Sequence, residues 1–453
     1  MVRAELLEIN DFNFIDIQEF YSELKPNKHG KAIIGGTIRG DKKEEYLLSG
    51  GKVTQIIAKT YEGNSIVLFC GIITSCNIKS NGDVHYMTLG LMTQSILMDG
   101  KEHIRTFQNA GVSYRDIIDI IIESYNNSAF IMTSGDDKKT QGFMCQYKET
   151  DWEYLKRLAF STNTVIYPDY SVEGVKFFIG LPSRQEKLLR SEYYELGVDS
   201  GDESLLNSGK AYYKVAVREH YEIGERLTFF GETQAVVARV SRLEHREVIN
   251  EYILMKESDV KTKAYQNEKL IGAALFAKVC QVENELVKVS IDDDENDSDD
   301  KAFLNYATVY SSPEGGSWYC MPEVGDRVIV KFPDANEQNV YVQNAFHVGS
   351  AGGRDNPEIK FFKNKEGKEI RLSPESVLIT DNNGSSIELK DDKGISIKSS
   401  GMISIAAKTE VLIESSNAGI SLISPTSVQI TQNGTQIEMN DGITHQGSKV
   451  YLG

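Results

Sequence analysis

Pairs of apolar residues recur at a nearly fixed spacing along the last quarter of the chain. Each pair occupies positions i and i+2, which places both side chains on one face of a short strand. The pairs are Ile387/Leu389, Ile395/Ile397, Ile403/Ile405, Val411/Ile413, Ile420/Leu422, Val428/Ile430 and Ile437/Met439. Successive pairs are eight or nine residues apart, and Gly, Asn, Asp and Ser between them predict turns. The segment is therefore a repeat of one small β unit.

Three architectures accommodate this repeat. One chain could form a flat antiparallel meander, or it could coil into a parallel β-helix with three repeats to a turn. Alternatively, three chains could each supply one face of a common prism. Each apolar side chain is worth ~1.5–3 kcal/mol if fully buried. A lone meander leaves this face in water, whereas a prism buries it on a common axis and pairs every strand edge. We therefore favour a trimeric triple-stranded β-helix with the fourteen paired side chains on its axis.

The first 250 residues predict a mainly β region with a small helical insertion. Runs of β-branched and aromatic residues alternate with turn residues through residues 1–100. Two helices are predicted next, because Ser113 with Asp116 and Thr150 with Glu153 have the capping-box spacing ahead of amphipathic segments. The apolar faces of the helices contain Tyr114, Ile117, Ile118, Ile121 and Tyr125 in the first and Trp152, Leu155 and Leu158 in the second.

Changes in composition divide the chain into five parts. The β region with its helices, at about 113–160, extends from 1 to 255, and a looser stretch at 256–274 predicts a linker. A compact β unit follows at 275–350, and its first two strands form a hairpin that turns near Glu283 and Asn284. A polar connector at 351–369 leads to the repeat at 370–453.

Nine residues of the compact unit, 292–300, read DDDENDSDD. This much like charge predicts a solvated, disordered loop rather than a packed segment. Clustered carboxylates are the ligands that calcium prefers, but the loop lacks the glycine that a compact calcium loop uses to turn. We expect no metal here, and none at His445 near the C-terminus.

Composition and charge narrow the range of functions. The net charge of −17 argues against binding to nucleic acid, which needs clustered lysine and arginine. Five scattered cysteines predict free thiols in a protein made in the cytoplasm. The N-terminus lacks the features of a signal peptide, and no apolar stretch is long enough to span a bilayer. If the protein acts outside the cell, we expect it to be exported by a route other than the general secretory pathway.

Catalytic motifs are absent from the sequence. It contains no HExxH, GxSxG, GxxxxGK[ST] or GxGxxG, and its seven histidines are isolated from one another. Surface or packing roles are the expectation for each histidine. We therefore expect a non-enzymatic protein with no catalytic residues, no metal and no cofactor.

Three stretches resemble valine–glycine repeat protein G (VgrG) and related hub proteins of contractile tails. The segment 143–170 resembles their "QY.E.D..F..RL" motif, and 104–122 resembles the element that precedes it. The segment 315–332 resembles the "P.VGDEV.V.F" end of their oligonucleotide-binding-like (OB) barrel. The matching positions are Gln146, Tyr147, Glu149, Asp151, Leu155, Arg157, Leu158, Pro322, Val324, Gly325 and Asp326. The order of the parts is that of the family, and the resemblance covers nearly the whole chain.

The resemblance implies a fold and a set of partners. The first region would be a hub of two β-barrels with a small helical insertion, the compact unit an OB-fold barrel, and the repeat a trimeric needle. The expected partners are two further copies of the chain, the inner tube protein, other baseplate proteins and a small PAAR-like tip protein. The target membrane would be contacted transiently, and nucleic acid not at all.

The sequence departs from some family members. The connector is too short for a lysozyme domain, and the chain stops directly after the repeat, where other members carry an effector. The metal-binding HxH apex of some phage spikes is missing. Two other classes stay open: a trimeric adhesin or receptor-binding fibre, and a spike-associated cell-wall hydrolase.

Overall fold

The computed structural model divides the chain into two units, Met1–Val348 and Gly349–Gly453. The residues that it describes are 2–59, 64–189, 191, 193–200, 206, 208–229, 231–262, 265–312, 314–347, 354–433, 435–446 and 449. No helix in this described part of the chain combines the length and apolarity needed to cross a membrane.

Seventeen strands and three α-helices lie within the described part of the first 255 residues. The strands are β1 (Leu7–Ile9), β2 (Phe14–Leu24), β3 (Lys31–Ile38), β4 (Val53–Lys59), β5 (Ser65–Asn81), β6 (Val84–Met92), β7 (Glu102–Phe107), β8 (Ala129–Met132), β9 (Met144–Thr150), β10 (Ile166–Pro168), β11 (Lys176–Ile179), β12 (Glu186–Leu188), β13 (Glu195–Val198), β14 (Ala211–Val217), β15 (Arg226–Phe229), β16 (Glu232–Glu244) and β17 (Glu247–Met255). The helices are α1 (Lys43–Leu47), α2 (Tyr114–Ile122) and α3 (Asp151–Ser161).

A twelve-stranded sheet organises this region. Its main path is β1-β4-β5-β6-β3-β2-β16-β17-β14-β13, and β15 joins β12 to β16. Antiparallel pairing of β2 with β16 connects the N-terminal strands to those after residue 210. Alternate side chains along the strands enter one core, in which Ile34, Leu89 and Tyr252 are fully buried.

The helical insertion lies between β7 and β11. Both predicted capping boxes are confirmed: Ser113 accepts from the backbone N–H of Asp116, and Thr150 from that of Glu153. The predicted apolar face of α3 is buried, and the Trp152 ring packs edge-on against Phe177 with centroids 6.3 Å apart. Two small sheets, β7-β9 and β10-β11-β8, support the helices.

A closed five-stranded barrel follows. Its strands, β18 (Ala274–Glu283), β19 (Leu286–Ile291), β20 (Leu304–Ala307), β21 (Arg327–Lys331) and β22 (Tyr341–Phe346), are ordered β18-β19-β20-β22-β21. Asn284 adopts a left-handed conformation at the predicted hairpin turn, with φ of 52°. Val279, Val289 and Val330 are among the buried side chains that fill the barrel.

The stretch 256–274, predicted as a loose linker, belongs to the first unit and combines exposed with buried residues where it is described. Leu270 is fully buried, and Val260 and Thr262 are nearly so. The Asn267 side chain donates to the carbonyl oxygen of Tyr147 at 2.8 Å.

The second unit is a series of antiparallel meanders. Its strands are β23 (Lys360–Lys363), β24 (Glu369–Ser373), β25 (Ser376–Thr380), β26 (Ser386–Lys390), β27 (Gly394–Lys398), β28 (Val428–Gln432), β29 (Thr435–Met439) and β30 (Ile443–Gln446). β23 to β27 form one sheet in chain order, and β28 to β30 form another. The intervening residues 399–427 contain no strand.

Candidate functional site: an apolar ladder and a buried joint

Strands β24 to β27 align their apolar residues in two rows that cross the sheet. Each residue is directly opposite the next in its row, the geometry in which cross-strand pairs interact. The rows are Ile370–Ile379–Ile387–Ile397 and Leu372–Val377–Leu389–Ile395. We call these eight residues the apolar ladder. Their exposed fractions range from 36% at Val377 to 70% at Ile395, so one chain does not cover them.

The other paired residues of the repeat are also uncovered. Those between the two sheets are 50–72% exposed: Ile403, Ile405, Val411, Ile413, Ile420 and Leu422. In the last sheet, Val428 is opposite Met439 and Ile430 is opposite Ile437. Among the described residues of the second unit, Glu369 is the only buried one. The part of the unit that the structure describes therefore has no apolar core of its own.

Glu369 is held by polar contacts at the first strand of the ladder. Its carboxylate accepts from Nε of Arg371 at 2.6 Å and from the amide of Asn382 at 3.3 Å, and Lys363 lies 3.8 Å away. The hydrogen bond from Arg371 lowers the pKa of this carboxyl. Glu369 and Arg371 therefore lie on a polar face of the sheet, and the apolar ladder lies on the opposite face.

The first half of the "QY.E.D" motif forms a buried polar cluster. Arg105 on β7 donates to Gln146 at 2.9 Å and pairs with Asp151 at the start of α3 at 2.5 Å. The Gln146 amide donates to the same carboxylate at 2.9 Å, and the Tyr125 hydroxyl donates to its second oxygen at 2.7 Å. Burial raises the pKa of Tyr125, and the hydrogen bond to Asp151 raises it further. The motif residues Gln146 and Asp151 therefore fix the helices to the β7-β9 sheet.

The second half of this motif joins the helices to the barrel. Arg157 on α3 donates to both oxygens of Glu149, with Nη2 2.8 Å from Oε2, and its Nη1 lies 3.0 Å from Oε1 of Glu337. Glu337 is in a 3-10 turn of the barrel segment, and it also accepts from the backbone N–H of Cys145 at 2.8 Å. We call this cluster of Arg157, Glu149, Glu337 and Cys145 the buried joint.

Charge is unbalanced in the buried joint, because two carboxylates share one guanidinium. Burial alone would lower the pKa of Arg157, but Glu337 and Glu149 raise it, so the arginine stays charged. Burial raises the pKa of Glu337, and the field of Glu149 adds to this shift, while Arg157 opposes it. Arg157 therefore supplies the positive charge that offsets the free-energy cost of burying both carboxylates.

The remaining motif residues have packing or turn roles. Leu155 and Leu158 are buried in the helical core, and the carbonyl group of Tyr147 accepts from Asn267. In the barrel, Pro322 is buried and Val324 is 66% exposed. Gly325 has a φ of 99°, which favours glycine, and Asp326 accepts from the backbone N–H of Glu323 at 2.8 Å. The "P.VGD" motif thus forms the turn into β21.

The acidic segment 292–300 is largely exposed, as its charge predicted, but two of its residues are anchored to the fold. Asp294 is half-buried and accepts from the backbone N–H of Thr106 at 2.9 Å as well as from its hydroxyl group. Asn296 donates to the carbonyl oxygen of Thr106 at 2.8 Å. Burial raises the pKa of Asp294. Polar groups on β7 therefore anchor Asp294 and Asn296 in a segment whose other residues are exposed.

Basic residues near the helices balance another carboxylate of the same segment. Glu295 pairs with Lys101 at 2.9 Å and with Nδ1 of His103 at 2.6 Å, and Arg105 lies 3.7 Å away. Burial alone would raise the pKa of Glu295, but the hydrogen bonds from His103 and Lys101 lower it overall. No group of three or more potential ligand side chains among the described residues is arranged to hold a metal ion, and the side chain of His445 lies outside those residues.

One histidine has the connectivity of a catalytic triad. His29 contacts the Ser95 hydroxyl through Nδ1 and the Asp99 carboxylate through Nε2, both at 2.8 Å. Ser95 is 1% exposed and its hydroxyl also bonds to Thr93, so no substrate can reach it. The other oxygen of Asp99 accepts from Thr150 at the start of α3. This cluster positions the helix and is not a nucleophilic site.

The sequence did not reveal every member of these clusters. Glu337 lies outside the recognised motifs and about 180 residues from its partner. The ion pairs of Glu295 could not be predicted from the sequence either, because its basic partners are about 190 residues away along the chain.

Comparison with protein-family models and with curated sequences gives no match. Solved structures share the fold. The E. coli c3393 protein, a component of the type VI secretion system with structural similarity to the T4 bacteriophage tail proteins gp27 and gp5, aligns with a TM-score of 0.54 at 12% identity over 74% of this chain and 98% of that chain. A chain of the Francisella PdpA-VgrG complex in its half-lidded form aligns with a TM-score of 0.52 at 9% identity over 87% and 88%. The resemblance to VgrG-like hub proteins is thus confirmed in the fold, which is mainly β with a small closed barrel and a few helices.

Proposed function

We propose that this chain, which has the hub-and-spike fold of VgrG-like proteins, is the homotrimeric central spike and hub of a contractile injection system. The proposal gains support from the likeness to a type VI secretion component that itself resembles phage tail proteins. The first unit docks on the inner tube, and the second unit forms the needle that punctures the target envelope.

The observation that carries the proposal is the absence of an apolar core in the described part of the second unit. Its paired apolar side chains are exposed in one chain, although each is worth ~1.5–3 kcal/mol if buried. Exposed apolar surface of this extent marks an interaction site. Three copies that share one axis cover all the paired residues and leave no open strand edge.

The mechanism is the transmission of force. Contraction of a sheath drives the tube, and the needle concentrates the thrust on a narrow point. Continuous strands around an interlocked apolar axis give a needle the stiffness that this requires. The buried joint ties the helical insertion to the barrel within the first unit, so that thrust passes between them without hinge motion.

The proposed partners follow from this role. They are two further copies of the chain, the inner tube protein, other baseplate proteins and a small PAAR-like protein on the tip, with transient contact to the target membrane. The Francisella complex of VgrG with PdpA is an assembly of related type. The chain is made in the cytoplasm and joins a phage tail-like particle that acts on a target envelope.

Substitution on the proposed axis tests the function. Ile403→Asp with Ile405→Asp places six carboxylates on the axis of a trimer, at severe cost. The particles should then lose killing or delivery, whereas Ser404→Asp, between the two positions, should leave it intact. Full activity of the double variant would contradict the proposal. A peptidoglycan zymogram tests the hydrolase alternative, and we expect no clearing.

A further inference from the structure

A polar groove lies on the twelve-stranded sheet of the first unit. Its volume is about 380 Å³, and strands β14, β16 and β17 lie beneath it. Ala238, Val240 and Ile253 line this floor, and Ala238 lies directly opposite Ile253 in the sheet. Three lysines also line the cavity, which we call the lysine groove: Lys25, Lys28 and Lys214.

The lysines at one end of the groove outnumber their carboxylate partners. Lys25 pairs with Glu23, and Lys31 pairs with the same carboxylate at 2.5 Å. Burial alone would raise the pKa of Glu23, but the hydrogen bonds from both lysines lower it to about 2. Lys28 is exposed and has no ion pair within the described part of the chain. Three cations therefore share one carboxylate here.

The two carboxylates that line the groove are already engaged. Glu251 pairs with Lys214 at 3.2 Å. Asp199 is buried and accepts from the backbone N–H groups of Leu206 and Ser208, both at 3.0 Å. Neither carboxylate therefore offsets the charge of Lys25 and Lys28.

A buried arginine adds positive charge beneath the floor. Arg239 is 1% exposed, and because it lies between two floor residues of β16, its side chain enters the core on the opposite face. It donates to the carbonyl oxygens of Leu68 at 3.1 Å and Tyr221 at 3.3 Å, and it contacts Nε2 of His220 at 3.0 Å. Burial lowers the pKa of His220, and the charge of Arg239 lowers it further, so these partners are neutral. No described carboxylate pairs with Arg239, and a buried charge is screened less than an exposed one.

This excess of positive charge selects an acidic occupant. The strands of the floor use their N–H groups in pairing within the sheet, whereas phosphate sites are commonly built from free backbone N–H groups. An apolar floor beside lysines instead suits a peptide that carries both carboxylates and apolar side chains. The longest acidic run of this chain, 292–300, is a poor candidate, because several of its carboxylates have partners nearby: Asp292 with Arg327, Glu295 with Lys101, and Asp297 with Lys301.

We propose that the lysine groove binds an extended acidic segment of a partner protein. Carboxylates of the segment pair with Lys25 and Lys28, and its apolar side chains pack on Val240 and Ile253. This goes beyond the proposed function and does not depend on how many copies of the chain assemble.

Calorimetric titration of the full chain with a defined peptide tests the proposal. The probe is Gly-Glu-Val-Asp-Leu-Glu-Gly with blocked ends, and the control peptide carries the matching amides, Gln and Asn, at its three acidic positions. Lys28→Gln and Lys25→Gln are the groove variants, and both should fold, because Lys28 is exposed and Lys31 still pairs with Glu23 when Lys25 is replaced. Lys79→Gln makes the same change of charge at an exposed position of β5 that does not line the groove.

The expected result is saturable binding of the acidic peptide that weakens with salt. Each groove variant should weaken it by about two- to fivefold and the double variant by about four- to twentyfold, whereas Lys79→Gln should change nothing. Absence of binding, equal binding of the amide peptide, or unchanged affinity in the double variant would overturn the proposal. Displacement of the peptide by an equal concentration of inorganic phosphate would also overturn it, because the groove would then bind a free anion. So would loss of self-association in the double variant, because the occupant would then be a second copy.

Discussion

Nη1 of Arg157 lies 3.0 Å from Oε1 of Glu337, although the two residues are 180 positions apart in the chain. Both are buried, and they join α3 to the barrel. Because Glu149 shares the same guanidinium, loss of the arginine leaves two buried carboxylates without a cation. Removal of one partner from such a cluster costs more than the cluster contributes as a whole.

Arg157→Met should therefore lower the free energy of unfolding of the first unit by about 3–5 kcal/mol. Arg226→Met is the matched control, because Arg226 pairs with Glu257 on the surface and exposed pairs are worth about 0–1 kcal/mol. Urea unfolding of both variants, followed by tryptophan fluorescence, measures the difference. An equal decrease in the free energy of unfolding in both variants would show that the buried joint contributes no more than a surface ion pair.

The contribution of Glu295 should depend on pH. Its pKa in the folded chain is below the ordinary value of 4.5, so its stabilising effect is present above pH 4.5 and is lost as the pH falls through the folded pKa. Glu295→Gln should lower the thermal midpoint at pH 7 and match the parent at the acid end of the titration. Glu314→Gln, at an exposed turn between β20 and β21, is the control. If Glu295→Gln lowers the thermal midpoint by the same amount at every pH, Glu295 does not stabilise the fold through ion pairs.

The hydroxyl group of Thr150 should contribute more to the free energy of unfolding than that of Ser113, although both residues cap helices. Each hydroxyl accepts from a backbone N–H, but that of Thr150 also donates to Asp99. Thr150→Ala should cost about 1–2 kcal/mol and Ser113→Ala about 0.5–1 kcal/mol. Chemical unfolding of the two variants gives the ranking, and the reverse order would mean that the contact with Asp99 contributes nothing.

The two faces of the ladder sheet should respond differently to charge. Ile387 and Ile397 are opposite each other on the apolar face, and Ser386 and Ser396 lie on the polar face. Ile387→Asp with Ile397→Asp should convert the assembled form to single chains in sedimentation velocity, because buried carboxylates without partners are costly. Ser386→Asp with Ser396→Asp adds the same charge and should leave assembly unchanged. If both double variants assemble to the same extent, the apolar face of this sheet is not the surface through which the chains associate.

Local sequence signals predicted the local structure well. The capping boxes located α2 and α3, and the polar turn residues located the β18–β19 hairpin at Asn284, because each signal acts within a few residues. The i, i+2 pairs predicted short strands, and the prediction is confirmed at four of the seven pairs. It is wrong at Ile403/Ile405, Val411/Ile413 and Ile420/Leu422, which lie in a stretch without strands.

Contacts between distant residues were not predictable in the same way. The charge of 292–300 correctly predicted a largely exposed segment, but not the contacts of Glu295 with Lys101 and His103, which lie about 190 residues away along the chain. Glu337 was missed for the same reason. The motif around Arg157 was recognised from sequence, but its role in joining helix to barrel required the structure.

The molar mass of the purified protein in dilute buffer tests the central claim most directly. Light scattering coupled to size exclusion should give three times the 50.7 kDa of one chain, because the proposed trimer covers the exposed ladder on its axis. A mass of 50.7 kDa, together with an ordered second unit in hydrogen exchange, would contradict the account.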